Sequence, residues 1–242
     1  MLKKSITWLI GICNRPKVLI TGGIGIASFG QLALIKVGYS NLSVPDYGSF
    51  LRSLNLYTVI TLIFGSPAMT LGVLGDIRKN TDFETSSLLF YLTKLGILLC
   101  LAIAIYLYFS NQRPMSIVFF FLAISIATTS TYSVQRGILA SDGMWMSIFA
   151  LLALDGGIKL VLLIALNSYF DSQSQLGYLA LLLTPQIIAM LLFTRVFNPI
   201  PLYLEPIRRP RGSITAIKKL TGIWMMGTGS VFATAIPASI LA

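Results

Sequence analysis

The sequence predicts an all-α fold: a polytopic transmembrane helix bundle, built as a six-helix lobe plus a seventh helix, with the N-terminus cytoplasmic. Three observations carry this. Of the 242 residues, 55% are hydrophobic and only 11% charged, against about 25% charged in soluble domains, and the mean hydropathy is +0.82. A core built from this chain cannot hide that much apolar surface, so lipid must cover part of it. The apolar residues also come in seven long runs separated by short polar stretches, and in hydrocarbon a helix is the simplest way for a single segment to satisfy its own backbone polar groups. Finally, the basic residues gather between the runs, on alternate connections, as positive-inside loops do.

Taken in order, residues 1–17 read as a cytoplasmic interfacial segment. Lys3 and Lys4 precede a short apolar stretch, Ile6 to Cys13, which is followed at once by Asn14, Arg15, Pro16 and Lys17. No small-x-small cleavage site follows it, so a segment lying on the membrane surface is favoured over a cleaved signal. Span one is predicted from Val18 to Tyr39, and a loop from Ser40 to Gly48 leads to span two, Leu51 to Leu74. A charged turn with Asp76, Arg78, Lys79, Asp82 and Glu84 precedes span three, Ser87 to Phe109. The turn from Ser110 to Pro114 precedes span four, Met115 to Val134, and a turn from Gln135 to Gly143 precedes span five, Met144 to Leu166. The loop from Asn167 to Gln175 carries Asp171 and leads to span six, Leu176 to Phe197. These spans make up a lobe over residues 18–197. Residues 198–219 form a basic, proline-rich cytoplasmic linker, expected to lie against anionic headgroups. Residues 220–242 form the seventh helix.

With the N-terminus inside, the cytoplasmic segments and helix ends hold 13 basic residues against 3 outside, the latter being Lys36, Arg52 and Arg113. Lys94 and Lys159 fall within spans. A formal charge of +10 would suggest nucleic acid for a soluble protein, but this placement fits membrane topology, and no nucleic-acid partner is expected. The chain has no histidine, which removes His-centred triads and His metal sites. Cys13 and Cys100 are far apart and lack a Cys-x-x-Cys partner, so disulfide and zinc readings are poor. No catalytic constellation, metal or cofactor is expected, and the reading is of a protein that is not an enzyme.

Several residues stand out chemically. Gly22, Gly23, Gly25 and Gly30 with Gln31 suit either close helix packing or a helix that bends during transport. Asp155 and Lys159, four residues apart in span five, share one helix face. They are either a self-neutralising pair or a substrate or coupling-ion site, because intramembrane charges face a partner or a cavity. Lys36 and Arg52 at the outer ends of spans one and two, Lys94 in span three, Arg136 at the end of span four and Lys159 would together suit an anionic headgroup such as a diphosphate. Snorkelling to the interface is the competing reading for Lys36, Arg52 and Lys94, and for Arg136 it is a place at the interface where span four ends. Pro67 and Pro185 interrupt their spans, and each frees a backbone carbonyl that a neighbour or water must satisfy.

Lys36-Val-Gly38 followed by Val44-Pro-Asp-Tyr-Gly-Ser-Phe50, with Gly75-Asp-Ile-Arg78 after span two and Arg136-Gly137 at the end of span four, resembles the N-terminal half of bacterial polysaccharide flippases. These are the O-antigen and exopolysaccharide exporters within the multidrug/oligosaccharidyl-lipid/polysaccharide exporter superfamily. The resemblance implies a first lobe of a two-lobe transporter, with a central cavity lined by spans one and two. By it, Lys36 and Arg52 are cavity residues, and the seventh helix begins a second lobe that this sequence does not continue.

The expected function is then translocation of a lipid-linked oligosaccharide, a polysaccharide precursor, across a bacterial inner membrane by alternating access, the chain being a half of the transporter. The expected partners are membrane lipid, the lipid-linked oligosaccharide diphosphate, and a polysaccharide polymerase or other assembly proteins. The alternatives are a cation- or proton-coupled multidrug exporter of the same superfamily, in which Asp155 would outweigh the lysines, and a non-catalytic membrane subunit. A membrane polymerase or glycosyltransferase ranks lower, because the predicted outer loops are short and Asp46 and Asp171 are their only acids.

Overall fold

The computed structural model describes residues 15–73, 83–169, 175–196 and 214–225. They form seven helices: α1 (Pro16–Asn41), α2 (Val44–Val73), α3 (Phe83–Phe109), α4 (Arg113–Ser141), α5 (Trp145–Tyr169), α6 (Gln175–Leu192) and α7 (214–225). No strand occurs among the described residues. The first five are long and apolar enough to cross a membrane, and α6 is a shorter apolar helix. The protein is a multi-pass helical membrane protein.

Several boundaries depart from those expected, among them the end of span six, where α6 stops at Leu192 and residues 193–196 form turns in place of helix to Phe197. The helix α1 starts at Pro16, so Pro16 and Lys17 belong to it and not to an interfacial segment; residues 1–14, with Cys13, lie outside the described residues. The expected loop from Ser40 to Gly48 shrinks to Leu42 and Ser43, because α2 begins at Val44. The reason is a helix-start signal that an apolar window overlooks. The Ser43 hydroxyl accepts from the Asp46 amide (3.4 Å) and donates to the Asp46 carboxylate (2.6 Å), a serine cap with an acid in the first turn. Ser43→Ala is expected to lower stability by about 1 kcal/mol, and Ser43→Asn to stay near wild type, read as thermal midpoints in detergent. At the far end of the fourth span, α4 continues through Gln135 to Ser141, where a turn was expected. Burial of Gln135, Gly137, Ile138 and Leu139 against neighbours holds this end helical although it is less apolar. Lastly, residues 214–219, assigned to the linker, are already the first turns of α7. Residues 198–213, the turn with Gly75 to Arg78, and residues 226–242 of the expected seventh helix lie outside the described residues.

The chain divides into two compact units, with the division falling inside α2 between Leu51 and Arg52. In the first, α1 and α5 run parallel: Gly22 lies against Phe149, Gly23 against Leu152, Gly30 against Gly156, and the Asn41 amide donates to the Asn167 side-chain oxygen at 2.8 Å. The helices meet backbone to backbone. A Cβ on Gly30 would stand 2.8 Å from the Gly156 carbonyl oxygen, and one on Gly156 would collide with the Ile26 carbonyl oxygen. Small residues allow this approach, which replaces the hydrophobic drive that lipid removes. At the end of this unit where α1 meets α2, Tyr39, Tyr47, Phe50 and Tyr178 form a chain of ring contacts with centroids 5.4–6.3 Å apart. Phe50 and Tyr178 are fully buried. Both rings lie beside Gly38, where an added Cβ would be in ordinary contact with them at 3.5–3.6 Å.

In the second unit, α2 and α4 run parallel through a second glycine crossing. A Cβ on Gly72 would stand 2.8 Å from the Val134 carbonyl oxygen, and one on Gly137 would stand 2.8 Å from the Gly72 Cα. The helix α3 returns antiparallel to α4, and near their connection the Ser116 hydroxyl donates to the Ala104 carbonyl at 2.8 Å. Asn111 takes the left-handed conformation there (φ 59°), which asparagine tolerates better than most residues. The α7 helix joins this unit: Leu220 and Ile223 are buried in one core with Ala68, Leu71, Leu89, Phe90, Val134 and Ile138. Pro67 does not break α2. A π-helical stretch, Thr61–Gly65, precedes it, and the Trp224 indole N–H of α7 donates to the Ile63 carbonyl at 2.6 Å.

Candidate functional site

The fold brings Asp155 and Lys159 into direct contact on α5. The ammonium Nζ lies 3.0 Å from Oδ1 and donates a hydrogen bond to Oδ2 at 3.1 Å. The residues are 7% and 4% exposed, so the pair is almost fully buried within the protein. Gly156 immediately follows the carboxylate, and its contact with Gly30 holds the α5 backbone against α1 at this level. Two opposite charges within hydrogen-bond distance neutralise each other, so the burial is tolerable for the pair and severe for either member alone. Both carboxylate oxygens of Asp155 therefore face the one ammonium, Oδ2 by a hydrogen bond and Oδ1 by charge alone.

The remaining cations have different surroundings. Lys36 and Arg52 are both exposed. Lys36 falls on the α1 face that also exposes Phe29, Leu32 and Tyr39, one stripe at three- and four-residue spacing. Arg52 shares an exposed α2 face with Asn55 and Thr58, so a polar edge runs along the first turns of that helix. Lys94 is half-buried on α3. Arg136 was expected to end span four at the interface, but it sits within α4, half-buried, its guanidinium 5.8 Å from the centre of the Tyr132 ring. Its Nε is buried without a hydrogen-bond partner among the described residues. Lys36 and Lys159 belong to the first unit, and Arg52, Lys94 and Arg136 to the second. Among the described residues, no group of three or more acids and cysteines is placed to hold a metal ion. Cys100 is a half-buried free thiol on α3.

One feature of the second unit escaped the sequence reading. Ser125, Thr128, Thr129, Ser130, Thr131 and Ser133 all lie buried on α4, together with Gln135. Several hydroxyls bond back to their own helix: Ser125 to the Phe121 carbonyl at 2.8 Å, Thr128 to Ile124 at 3.0 Å and Thr131 to Ala127 at 2.9 Å. Thr129 and Ser130 find no partner among the described residues. The signal was in the sequence, as six hydroxyl residues within nine positions of an otherwise apolar span. Hydroxyls satisfied by their own helix are, however, indistinguishable in sequence from hydroxyls that face a cavity. Comparison of the chain with protein-family models, with curated proteins and with solved structures returned no match.

Proposed function

We propose that this chain carries a lipid-linked oligosaccharide across a bacterial inner membrane by alternating access, with Lys36 and Arg52 meeting the diphosphate of the headgroup. The observation that supports this most is the exposure of both cations on long apolar helices, where a charge has to face water, a headgroup or a ligand. The passage that resembles the polysaccharide flippases gains a physical role as well. The Ser43–Asp46 cap and the Tyr47–Phe50–Tyr178 ring contacts, all in the first unit, order the α1–α2 turn that follows Lys36 in the chain. No bond is made or broken in such a cycle. The cations hold phosphate oxygens by charge-assisted hydrogen bonds and must release them on the far side. Lys159 is a weaker phosphate ligand, because Asp155 already neutralises it.

The test is transport of a labelled lipid-linked oligosaccharide by the Lys36→Ala/Arg52→Ala variant in proteoliposomes. Removing two charge-assisted contacts of about 1.5–3 kcal/mol each is expected to reduce transport at limiting substrate at least tenfold, while Lys36→Arg retains most of it. Wild-type transport by the double variant would remove these residues from the mechanism. Asp155 favours the second reading, an ion-coupled drug exporter, since it is a buried carboxylate within a span, where exchange of its lysine partner for an ion or proton could be coupled to transport. Drug efflux abolished by Asp155→Asn in a chain that remains folded would decide for it.

A further inference from the structure

We infer that Trp224 is a latch: its indole N–H replaces the amide hydrogen that Pro67 lacks, and so ties α7 to the bend of α2. In regular helical spacing, the carbonyl of Ile63 accepts from the amide of residue 67, four positions on. Proline has no amide hydrogen to give. Just before it the helix widens to π spacing, Ser66 donating to the Thr61 carbonyl, and such insertions mark places where a helix can change shape. Ile63 is 40% exposed on an apolar helix, and in a membrane such a surface meets lipid, with little water to serve a stranded carbonyl. The group that serves it is the Trp224 indole, at 2.6 Å. Indole suits the task, because it has one donor and no acceptor on a large apolar ring.

The latch sits beside an apolar anchor. Leu220 and Ile223, one turn and one residue earlier on α7, are buried with Ala68 and Leu71, which follow the bend in α2. Two kinds of contact therefore join the same pair of elements, and only the indole bond depends on the proline. Withdrawing α7 strands the Ile63 carbonyl. Straightening α2 moves that carbonyl away from the indole. The bend of α2 and the docking of α7 are thus one two-state element, in which a shift of either biases the other. This coupling does not depend on what cargo the chain carries.

A double-mutant cycle tests it. Hydrogen exchange of the segment 214–225 is followed by mass spectrometry in lipid nanodiscs for the wild type, Trp224→Phe, Pro67→Ala and the double variant. With Pro67 present, Trp224→Phe strands the carbonyl, and exchange in α7 is expected to accelerate about tenfold. In the Pro67→Ala background the residue-67 amide reclaims the carbonyl, and Trp224→Phe is expected to change exchange less than about twofold. The smaller ring is common to both comparisons, so its effect cancels. Equal acceleration in both backgrounds would reduce Trp224 to ring packing and overturn the latch, as would no acceleration in either. If Trp224→Phe alone fails to fold, a folded double variant with the protection of Pro67→Ala supports the latch. Failure of both Trp224→Phe chains counts against it.

Discussion

Lys159→Met is expected to destabilise the first unit by about 3–5 kcal/mol, because it leaves the Asp155 carboxylate charged and alone in a buried site. Asp155→Leu should do similar damage from the other side. The double variant Asp155→Leu/Lys159→Met is expected to lie near wild type, or to exceed it by about 1–4 kcal/mol, since two apolar side chains of similar volume remove the desolvation cost of both charges. The geometry behind this is specific: both distances near 3 Å, both residues almost fully buried, and one helix supplying both partners. Thermal midpoints in detergent check the stability ordering. Transport by the stable double variant then separates the two roles of the pair. Undiminished transport makes it a structural neutralisation, whereas loss of transport in a stable protein gives Asp155 a part in coupling.

Gly156→Ala is the second large effect expected, and its neighbour supplies the control. A Cβ at Gly156 has no room, colliding with the Ile26 carbonyl oxygen and standing 2.9 Å from the Ala27 Cα, whereas a Cβ at Gly157 meets nothing within 4 Å. Because the obstacle is backbone rather than the tip of a side chain, α1 and α5 must separate to admit even a methyl group. Overpacking of this kind costs about 1–3 kcal/mol. Gly157→Ala, on the open side of the same turn, is expected to be neutral or to gain up to about 1 kcal/mol from helix propensity. The two midpoints should then differ by several degrees in a chain of this size. Equal midpoints would mean that α1 and α5 do not cross at this glycine.

Much of the fold was legible before any coordinates. Six helices stand where six apolar runs were read, and α7 overlaps the start of the seventh, whose residues 226–242 lie outside the described residues; in hydrocarbon the length of an apolar run sets the helix almost by itself. The misses fall where a different force sets the boundary. Ser43 and Asp46 start α2 seven residues earlier than its apolar run through local capping, and α4 is extended through Gln135 and Gly137 by burial against neighbours. The Asp155–Lys159 contact was readable because four-residue spacing on a helix fixes it. Which of the span-one glycines pack was not readable. Gly23 and Gly30 meet α5 while Gly25 faces open space, a difference set by a partner helix more than a hundred residues away. Pro67 announced a stranded carbonyl, but only tertiary structure could supply its donor, 161 residues on. The placement of Arg136 over Tyr132 likewise depended on α4 running past its apolar stretch.

The proposed movement of a diphosphate-linked glycan through this helical protein is tested most directly by translocation by the wild-type chain. Liposomes carrying a labelled lipid-linked oligosaccharide in both leaflets are treated from outside with a glycan-cleaving enzyme that cannot cross the bilayer. In protein-free vesicles the inner-leaflet pool stays protected. With the chain reconstituted, that pool is expected to become cleavable over time, and to remain protected when the lipid carries a neutral head without the diphosphate. An inner pool that stays protected in the presence of folded, membrane-inserted protein would contradict the proposed function.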